Sequence, residues 1–204
     1  MTTLYDAAGN AQPATVIAIE PGNVVTQVKT AERDGYAAVQ VGYREAREGR
    51  LRKPEAGHCA KAGAPPLRHL REFKVASTDG YAPGQALAFE EMFKVGDLVD
   101  VAGTSIGKGF QGGIKRFGFA RGNMTHGSKS KREHGSIGPG SSPGRVYPGA
   151  KMPGLMGNAR VKARKSEILL VDAERRAIVV KGSVAGKPGN VVEIAPAKIV
   201  GVNV

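Results

Sequence analysis

A glycine-rich, strongly basic stretch in the middle of the chain constrains this sequence most. From Thr104 to Lys165 it has 13 Lys or Arg and a single acid, Glu133. The same stretch holds 14 of the 29 glycines but only six Val, Ile or Leu. So few aliphatic side chains cannot bury enough apolar surface to offset the entropy lost when the chain is ordered. The stretch therefore cannot fold around a hydrophobic core of its own.

The charge excess of the whole chain lies in this stretch. The sequence has 30 Lys plus Arg and 18 Asp plus Glu, a net charge of +12. The stretch alone carries +12, so the rest of the chain is neutral as a whole, with 17 charges of each sign. We therefore predict a neutral globular domain over residues 1–103 and 166–204 and a basic extension, called the arm below, over residues 104–165.

Two further features bear on what the arm does. Composition alone fits a disordered basic linker, but sequence predicted to be structured flanks the arm on both sides. An internal loop of this length is either functional or disordered. Basic side chains neutralise phosphates, and aromatic rings stack on unpaired bases. We favour an arm that becomes ordered against a polyanion, because its charges are interleaved with Phe110, Phe117, Phe119 and Tyr147.

The flanks of the arm predict a mainly β fold. Short apolar runs alternate with turn signals, as in half-buried strands. Pro21-Gly22 separates the first two runs and is typical of a hairpin turn. The apolar runs recur about every ten residues, and this spacing favours an antiparallel barrel or sandwich over βαβ units. The predicted strands are 14–20, 23–30, 36–43, 97–101, 167–172, 177–181, 190–194 and 199–204.

The pattern changes over about residues 44–95, where we predict a small α+β insertion. Residues 58–63 and 67–73 could each form a helical turn or two, and residues 89–94 predict a short helix that ends at Gly96. Residues 44–53 mix both signs of charge, which is more typical of a solvated face than of a binding patch.

Residue types needed for several other functions are missing or badly spaced. Cys59 is the only cysteine, so no disulfide or thiolate metal site can form, and this cysteine usage fits a reducing compartment. The four histidines have no H-x-x-x-H spacing, and no metal is expected. His58 adjoins Cys59, but neighbouring side chains point in different directions and no acid orients them. We predict no catalytic residues, and no membrane partner, because no apolar run approaches the length that a membrane-spanning helix needs.

One motif raises a nucleotide-binding alternative. Residues 107–112 (GKGFQG) match G-x-G-x-x-G directly after a predicted strand. The motif needs a following helix, yet Gly113, Gly118 and Gly122 come next, and each Gly costs a helix interior about 1 kcal/mol. Residues 103–109 resemble a phosphate loop but are one residue short, and Gly109 stands where a hydroxyl should bind magnesium. We therefore expect no cofactor and no small-molecule substrate.

Six short motifs of the arm form a set far more specific than any single one. They are 103–112 (GTSIGKGFQG), 115–117 (KRF), 124–129 (MTHGSK), 135–138 (GSIG), 142–149 (SPGRVYPG) and 151–154 (KMPG). Together they resemble ribosomal protein three of the large subunit, in its bacterial and plastid branch. The resemblance runs through nearly the whole chain, including 26–30 (TQVKT), 34–36 (DGY), 96–97 (GD) and 181–182 (KG).

The resemblance implies a translation-factor-like antiparallel β-barrel on the outside of the large subunit. It implies an arm running through 23S-type rRNA toward the peptidyl transferase centre, with residues 136–144 at the tip and residues 123–129 forming another inward bend. It further implies a non-catalytic role in early assembly near the 3′ end of that RNA. The expected neighbours are large-subunit proteins fourteen and nineteen, in chloroplast stroma or bacterial cytoplasm.

A transient RNA chaperone that uses the same arm is the alternative binding function. In either case the composition of the arm and the resemblance nominate the same RNA-contacting side chains. The candidates are Lys108, Phe110, Gln111, Lys115, Arg116, Phe117, Arg121, Asn123, His126, Ser128, Lys129, Lys131, Arg132, His134, Ser136, Arg145, Tyr147, Lys151, Arg160, Lys162, Arg164 and Lys165.

Overall fold

The computed structural model describes residues 1–47 and 49–198 and is mainly β, as predicted. The predicted strand 199–204 lies outside the described residues. The helices are α1 (Ala31–Asp34), α2 (Lys53–Lys61), α3 (Phe89–Met92) and α4 (Gly113–Phe117). The strands are β1 (Thr2–Tyr5), β2 (Ala11–Ala18), β3 (Val24–Lys29), β4 (Ala38–Glu45), β5 (Leu67–Lys74), β6 (Leu98–Thr104), β7 (Phe110–Gln111), β8 (Gly154–Leu155), β9 (Arg160–Asp172), β10 (Ala177–Lys181) and β11 (Val192–Pro196).

The chain forms two compact units. The first unit comprises residues 1–100, 164–183 and those from Ile194 onward, and the second comprises residues 101–163 and 184–193. The second unit has 12 Lys or Arg against two Glu. Charge is therefore segregated between the two units of the fold.

The largest sheet has six strands in the order β1-β2-β10-β9-β6-β11. Its pairings of β1 with β2, β2 with β10 and β10 with β9 are antiparallel. A second sheet has the order β3-β4-β5, and a two-stranded ribbon joins β7 to β8. Among the described residues β1 and β11 are the outermost strands of an open sheet, because each pairs on one side alone. The expected barrel is therefore not closed in this part of the chain.

The predicted hairpin at Pro21-Gly22 is wrong, because β2 and β3 belong to different sheets. Ala18 of β2 pairs with Ala177, whereas Val24 of β3 pairs with Gly42. Both strands carry the same alternating pattern, so the pattern cannot say which partners they take. The long-range pairing of β2 with β10 helps to bury Ile178 completely. The Pro-Gly turn passes the chain from one sheet to the next.

The α+β insertion contains one element of the wrong type. Residues 67–73 form β5 rather than a helical turn, because they pair with β4 from Leu67 to Lys74. This tertiary pairing outweighs the weak local preference. The other two helical predictions are right in type but not in bounds, because α2 begins at Lys53 rather than near His58 and α3 ends at Met92 rather than at Gly96. Pro54 lies in the first turn of α2, and the Glu55 carboxylate accepts the Arg52 N–H at 3.0 Å.

The core of the first unit lies where its strands meet in the two sheets. Val25, Val99, Ile178 and Val180 are at most 1% exposed. Burying such a side chain contributes about 1.5–3 kcal/mol each relative to leaving it in water. Aliphatic side chains outside the arm thus form a hydrophobic core in the first unit, whereas the arm has too few of them to form its own.

A polar network on the second sheet gives a testable pH dependence. Lys29 Nζ lies 2.6 Å from Glu72 Oε1, and the Tyr36 hydroxyl donates to Glu72 Oε2 at 2.8 Å. Both hydrogen bonds lower the pKa of Glu72, and the one from Lys29 has the larger effect. A depressed carboxylate pKa stabilises the fold above the unfolded-state pKa and loses that effect as pH falls through the folded-state value. We therefore expect the Tm to fall between pH 7 and pH 3 in both the native chain and Glu72→Gln, and the fall to be a few degrees larger in the native chain. Calorimetry at a series of pH values measures both.

Candidate nucleic-acid interface

The two ends of the arm are held together as an antiparallel stem. The Ser105 N–H donates to Ala159 O at 2.9 Å, and the Asn158 N–H donates back to Ser105 O at 3.1 Å. Farther along, the Lys108 N–H donates to Met156 O at 2.8 Å. The ribbon of β7 and β8 continues the stem with Phe110 opposite Leu155. Backbone bonds, which need no particular side chain, therefore order this part of a segment that has little apolar surface.

A short helix and a group of rings lie beyond the stem. Helix α4 ends at Phe117, and the residue after it, Gly118, caps the helix with a left-handed φ of 72°. The Arg116 guanidinium donates to Met152 O at 2.7 Å and stacks 4.9 Å from the centre of the Phe117 ring. Phe119 lies 6.0 Å from Phe117 and 5.6 Å from the His134 ring, centre to centre. Aromatic and cationic planes thus replace an aliphatic core here.

His134 ties this group to the returning chain. Its Nε2 lies 2.7 Å from Lys151 O. A carbonyl can only accept, so Nε2 carries a proton and donates it to Lys151 O. Lys151 also places its Nζ 6.0 Å from the Phe117 ring centre. The structure therefore brings four candidates into one cluster: Arg116, Phe117, His134 and Lys151.

Two smaller loops carry many of the remaining candidates. The Gly122 N–H donates to Lys131 O at 2.9 Å and closes a loop over residues 123–130. A Cβ on Gly122 would overlap Ser130 O, so this crossing requires glycine. A second turn is held by the Gly144 N–H bond to Gly140 O at 3.0 Å. Chain reversals thus occur within both segments, 123–129 and 136–144, that the resemblance nominated.

Most of the charged candidate side chains are exposed to solvent, unlike side chains that stabilise a fold by being buried. Of the 13 Lys and Arg between residues 104 and 165, twelve are exposed and Arg116 is half-buried. Gln111, Ser128 and His134 are the other half-buried candidates. Exposed cations on a surface with few counter-charges create a positive potential that attracts polyanions. The interface therefore presents nearly all of its basic groups to solvent.

Three basic candidates have surroundings that the sequence did not indicate. Arg160 Nη2 forms an ion pair with Glu193 at 2.5 Å. Arg164 and Lys165 belong to the first unit, and the Lys165 N–H donates to Asp100 Oδ1 at 3.1 Å. Lys187, which the sequence pattern does not nominate, also belongs to the second unit, through residues 184–193. No local signal marks that membership.

The structure shows the surroundings of two motifs that the sequence argued against, the nucleotide-binding motif at residues 107–112 and the His58-Cys59 pair. A helix does follow residues 107–112, contrary to our expectation, but α4 ends after five residues at Phe117. His58 Nε2 contacts Gln40 Oε1 at 2.6 Å, and Cys59 is 1% exposed.

Within the described ranges no group of three or more metal-ligating side chains is present. None of the helices described is long and apolar enough to cross a membrane.

The described residues thus form a mainly β fold whose exposed cationic surface, with aromatic rings beside it, is suited to binding a polyanion. The family model for ribosomal protein L3 matches residues 74–175. The chain is 57% identical, over its full length, to large ribosomal subunit protein uL3c of Arabidopsis thaliana and spans 75% of that protein. The Nicotiana tabacum uL3c is also 57% identical over the full chain, which spans 79% of it.

A cyanobacterial relative agrees with the plant proteins. The uL3 of Trichormus variabilis is 53% identical over 98% of this chain and 94% of its own length. The chain therefore belongs to the ribosomal protein L3 family, which consists of structural ribosomal proteins and not of enzymes.

Proposed function

We propose that this chain is a structural constituent of the large ribosomal subunit and that its arm binds large-subunit rRNA. The observation that carries the proposal is the exposure of twelve of the thirteen basic side chains of the arm. Each Lys or Arg that neutralises a phosphate releases a counterion and adds salt-dependent affinity. The family membership supports a ribosomal partner over other polyanions, since the relatives are named as large ribosomal subunit proteins.

The finer roles of the arm follow from the same proposal. The loops at residues 123–130 and 140–144 are mostly polar, with small Ser and Gly residues in both, so they can approach packed RNA strands closely. We infer that they lie within the rRNA toward the peptidyl transferase centre, and that the chain joins the subunit early near the 3′ end of that RNA. Its neighbours are large-subunit proteins fourteen and nineteen, in a chloroplast or a bacterium.

Sedimentation tests a constituent against a transient chaperone. The tagged chain is expressed in a cell that supplies matching ribosomes, and the large subunits are washed in high salt. A constituent, buried within rRNA on all sides of its arm, is expected to stay at about one copy per subunit. Release of most of the protein by the wash would contradict the proposal, and a chain lacking residues 104–165 serves as the comparison.

A further inference from the structure

The ribbon of β7 and β8 presents two large apolar side chains to solvent. Phe110 is 71% exposed and Leu155 is 75% exposed. The two residues lie directly opposite each other in the antiparallel ribbon. Their side chains therefore share one face, with Cβ atoms about 5 Å apart. A single exposed apolar side chain is ordinary in a folded protein, but this pair forms a continuous apolar surface in a segment that has few apolar side chains.

The opposite face of the ribbon is already covered. Gln111 and Gly154 form the neighbouring cross-strand pair, and successive residues of a strand point to opposite faces. A Cβ on Gly154 would lie 2.6 Å from Arg116 Nη1, so the guanidinium group packs against the ribbon on that side. Phe110 and Leu155 therefore lie on the face that Arg116 does not cover.

The ring of Phe110 also differs from the other Phe rings of the arm. The Arg116 guanidinium lies 4.9 Å from the centre of the Phe117 ring, and the His134 ring lies 5.6 Å from that of Phe119. Among the residues that the structure describes, no ring or cation stacks on Phe110. Its side chain has no charge and no hydrogen-bonding group, so it cannot bind a phosphate. A flat, largely apolar group such as a nucleobase suits it better.

The size of the pair and its surroundings favour a nucleobase over a partner protein. A stable protein interface buries about 800 Å² on each partner, whereas this apolar surface consists of two side chains that adjoin Gly109 and Gly154 in the sequence. Lys108 is exposed, and its N–H donates to Met156 O, which places Lys108 beside Leu155 in the ribbon. A cation at this position can neutralise the phosphate of a nucleotide whose base contacts the pair.

We propose that Phe110 and Leu155 form a stacking site for one unpaired base of RNA, with the Phe110 ring against the face of the base and Leu155 at its edge. Such a site accepts any base, since every base has a π face. It adds affinity that does not depend on salt, unlike the phosphate contacts of the arm. This inference rests on the proposed function, which supplies the RNA, and it adds the chemical group that this part of the arm contacts.

The test measures the affinity of the full chain for two RNA hairpins over a series of salt concentrations. One hairpin has a loop of adenosines, and the other has abasic nucleotides in the same loop, so the two differ in bases but not in phosphates. Phe110→Leu keeps an apolar contact with Leu155 but removes the ring. It is expected to lose about tenfold in affinity for the adenosine loop and nothing for the abasic loop. The slope of log affinity against log salt should stay at its native value, because no charge is removed.

Two further variants make the result specific to the ring and to its place. Phe110→Tyr keeps a ring and is expected to bind both hairpins as the native chain does. Tyr5→Leu is the matched control, because it removes a ring that is 73% exposed from the first unit, and it is also expected to bind as the native chain does.

The inference is overturned if Phe110→Leu binds the adenosine loop as tightly as Tyr5→Leu does, a result that would leave the apolar pair to a partner protein. It is also overturned if Phe110→Leu loses equal affinity for the two hairpins, or if Phe110→Tyr loses as much as Phe110→Leu. Failure of the proposed function gives a different result, because the native chain would then bind neither hairpin.

Discussion

Replacing Lys129, Lys131 and Arg132 with glutamine is expected to weaken RNA binding at physiological salt by at least about tenfold. The slope of log affinity against log salt should fall by about 2.7, since each lost phosphate contact removes about 0.9. All three side chains are exposed, and Lys129 lies in the loop that the Gly122 bond to Lys131 closes. The substitutions remove charge without removing buried packing. Fluorescence anisotropy with a fragment of large-subunit rRNA measures both quantities.

A variant with the same change in net charge separates local contacts from the total charge. Arg33, Lys94 and Arg175 are exposed side chains of the first unit, and their replacement by glutamine also removes three charges. This control is expected to change the slope by less than about 1, because long-range attraction is screened within about 10 Å at 0.1 M salt. Equal slopes for the two triple variants would show that Lys129, Lys131 and Arg132 make no phosphate contacts of their own.

The function that we propose for the arm follows from its composition, which can be read directly from the sequence. Thirteen basic side chains against one acid within a single stretch admit few partners other than a polyanion. The contacts inside the arm could not be predicted in the same way. Arg116 reaches the carbonyl of Met152, 36 residues away, and His134 reaches that of Lys151, 17 residues away. Such bonds depend on loop closures that leave no periodic signal.

The strands were largely predictable, whereas their partners were not. An alternating pattern reports that one face of a strand is buried, but it does not report against which sheet. For this reason the Pro21-Gly22 turn predicted a hairpin, although Val24 pairs with Gly42. Similarly, the Leu67–Lys74 strand is rich in charged side chains and shows no clean alternation. It becomes a strand because β4 offers it a complete antiparallel partner.

The glycines of the arm have a second use that the sequence did not reveal. We expected them to let the backbone pass close to RNA, yet some of them already allow the chain to pass close to itself. Gly157 is the clearest case: its φ is 77°, and a Cβ there would overlap Ile106 O in the facing strand of the stem. A backbone oxygen cannot rotate away as a side chain can, so the stem must open to admit a methyl group.

Gly157→Ala is therefore expected to disrupt the stem, and Gly109→Ala provides its control. Both glycines have a positive φ, at which alanine costs about 1 kcal/mol, but a Cβ on Gly109 would meet nothing within 4 Å. Hydrogen exchange at the Lys108, Met156 and Asn158 amides, which bond across the stem, should rise at least about tenfold more in Gly157→Ala, equivalent to about 1.4 kcal/mol. RNA affinity should fall in the same variant, because an open stem holds the loops of the arm less rigidly. If the two alanine variants exchanged at the same rate, strain at positive φ alone would explain the glycine at residue 157, and the close approach to Ile106 would have no energetic role.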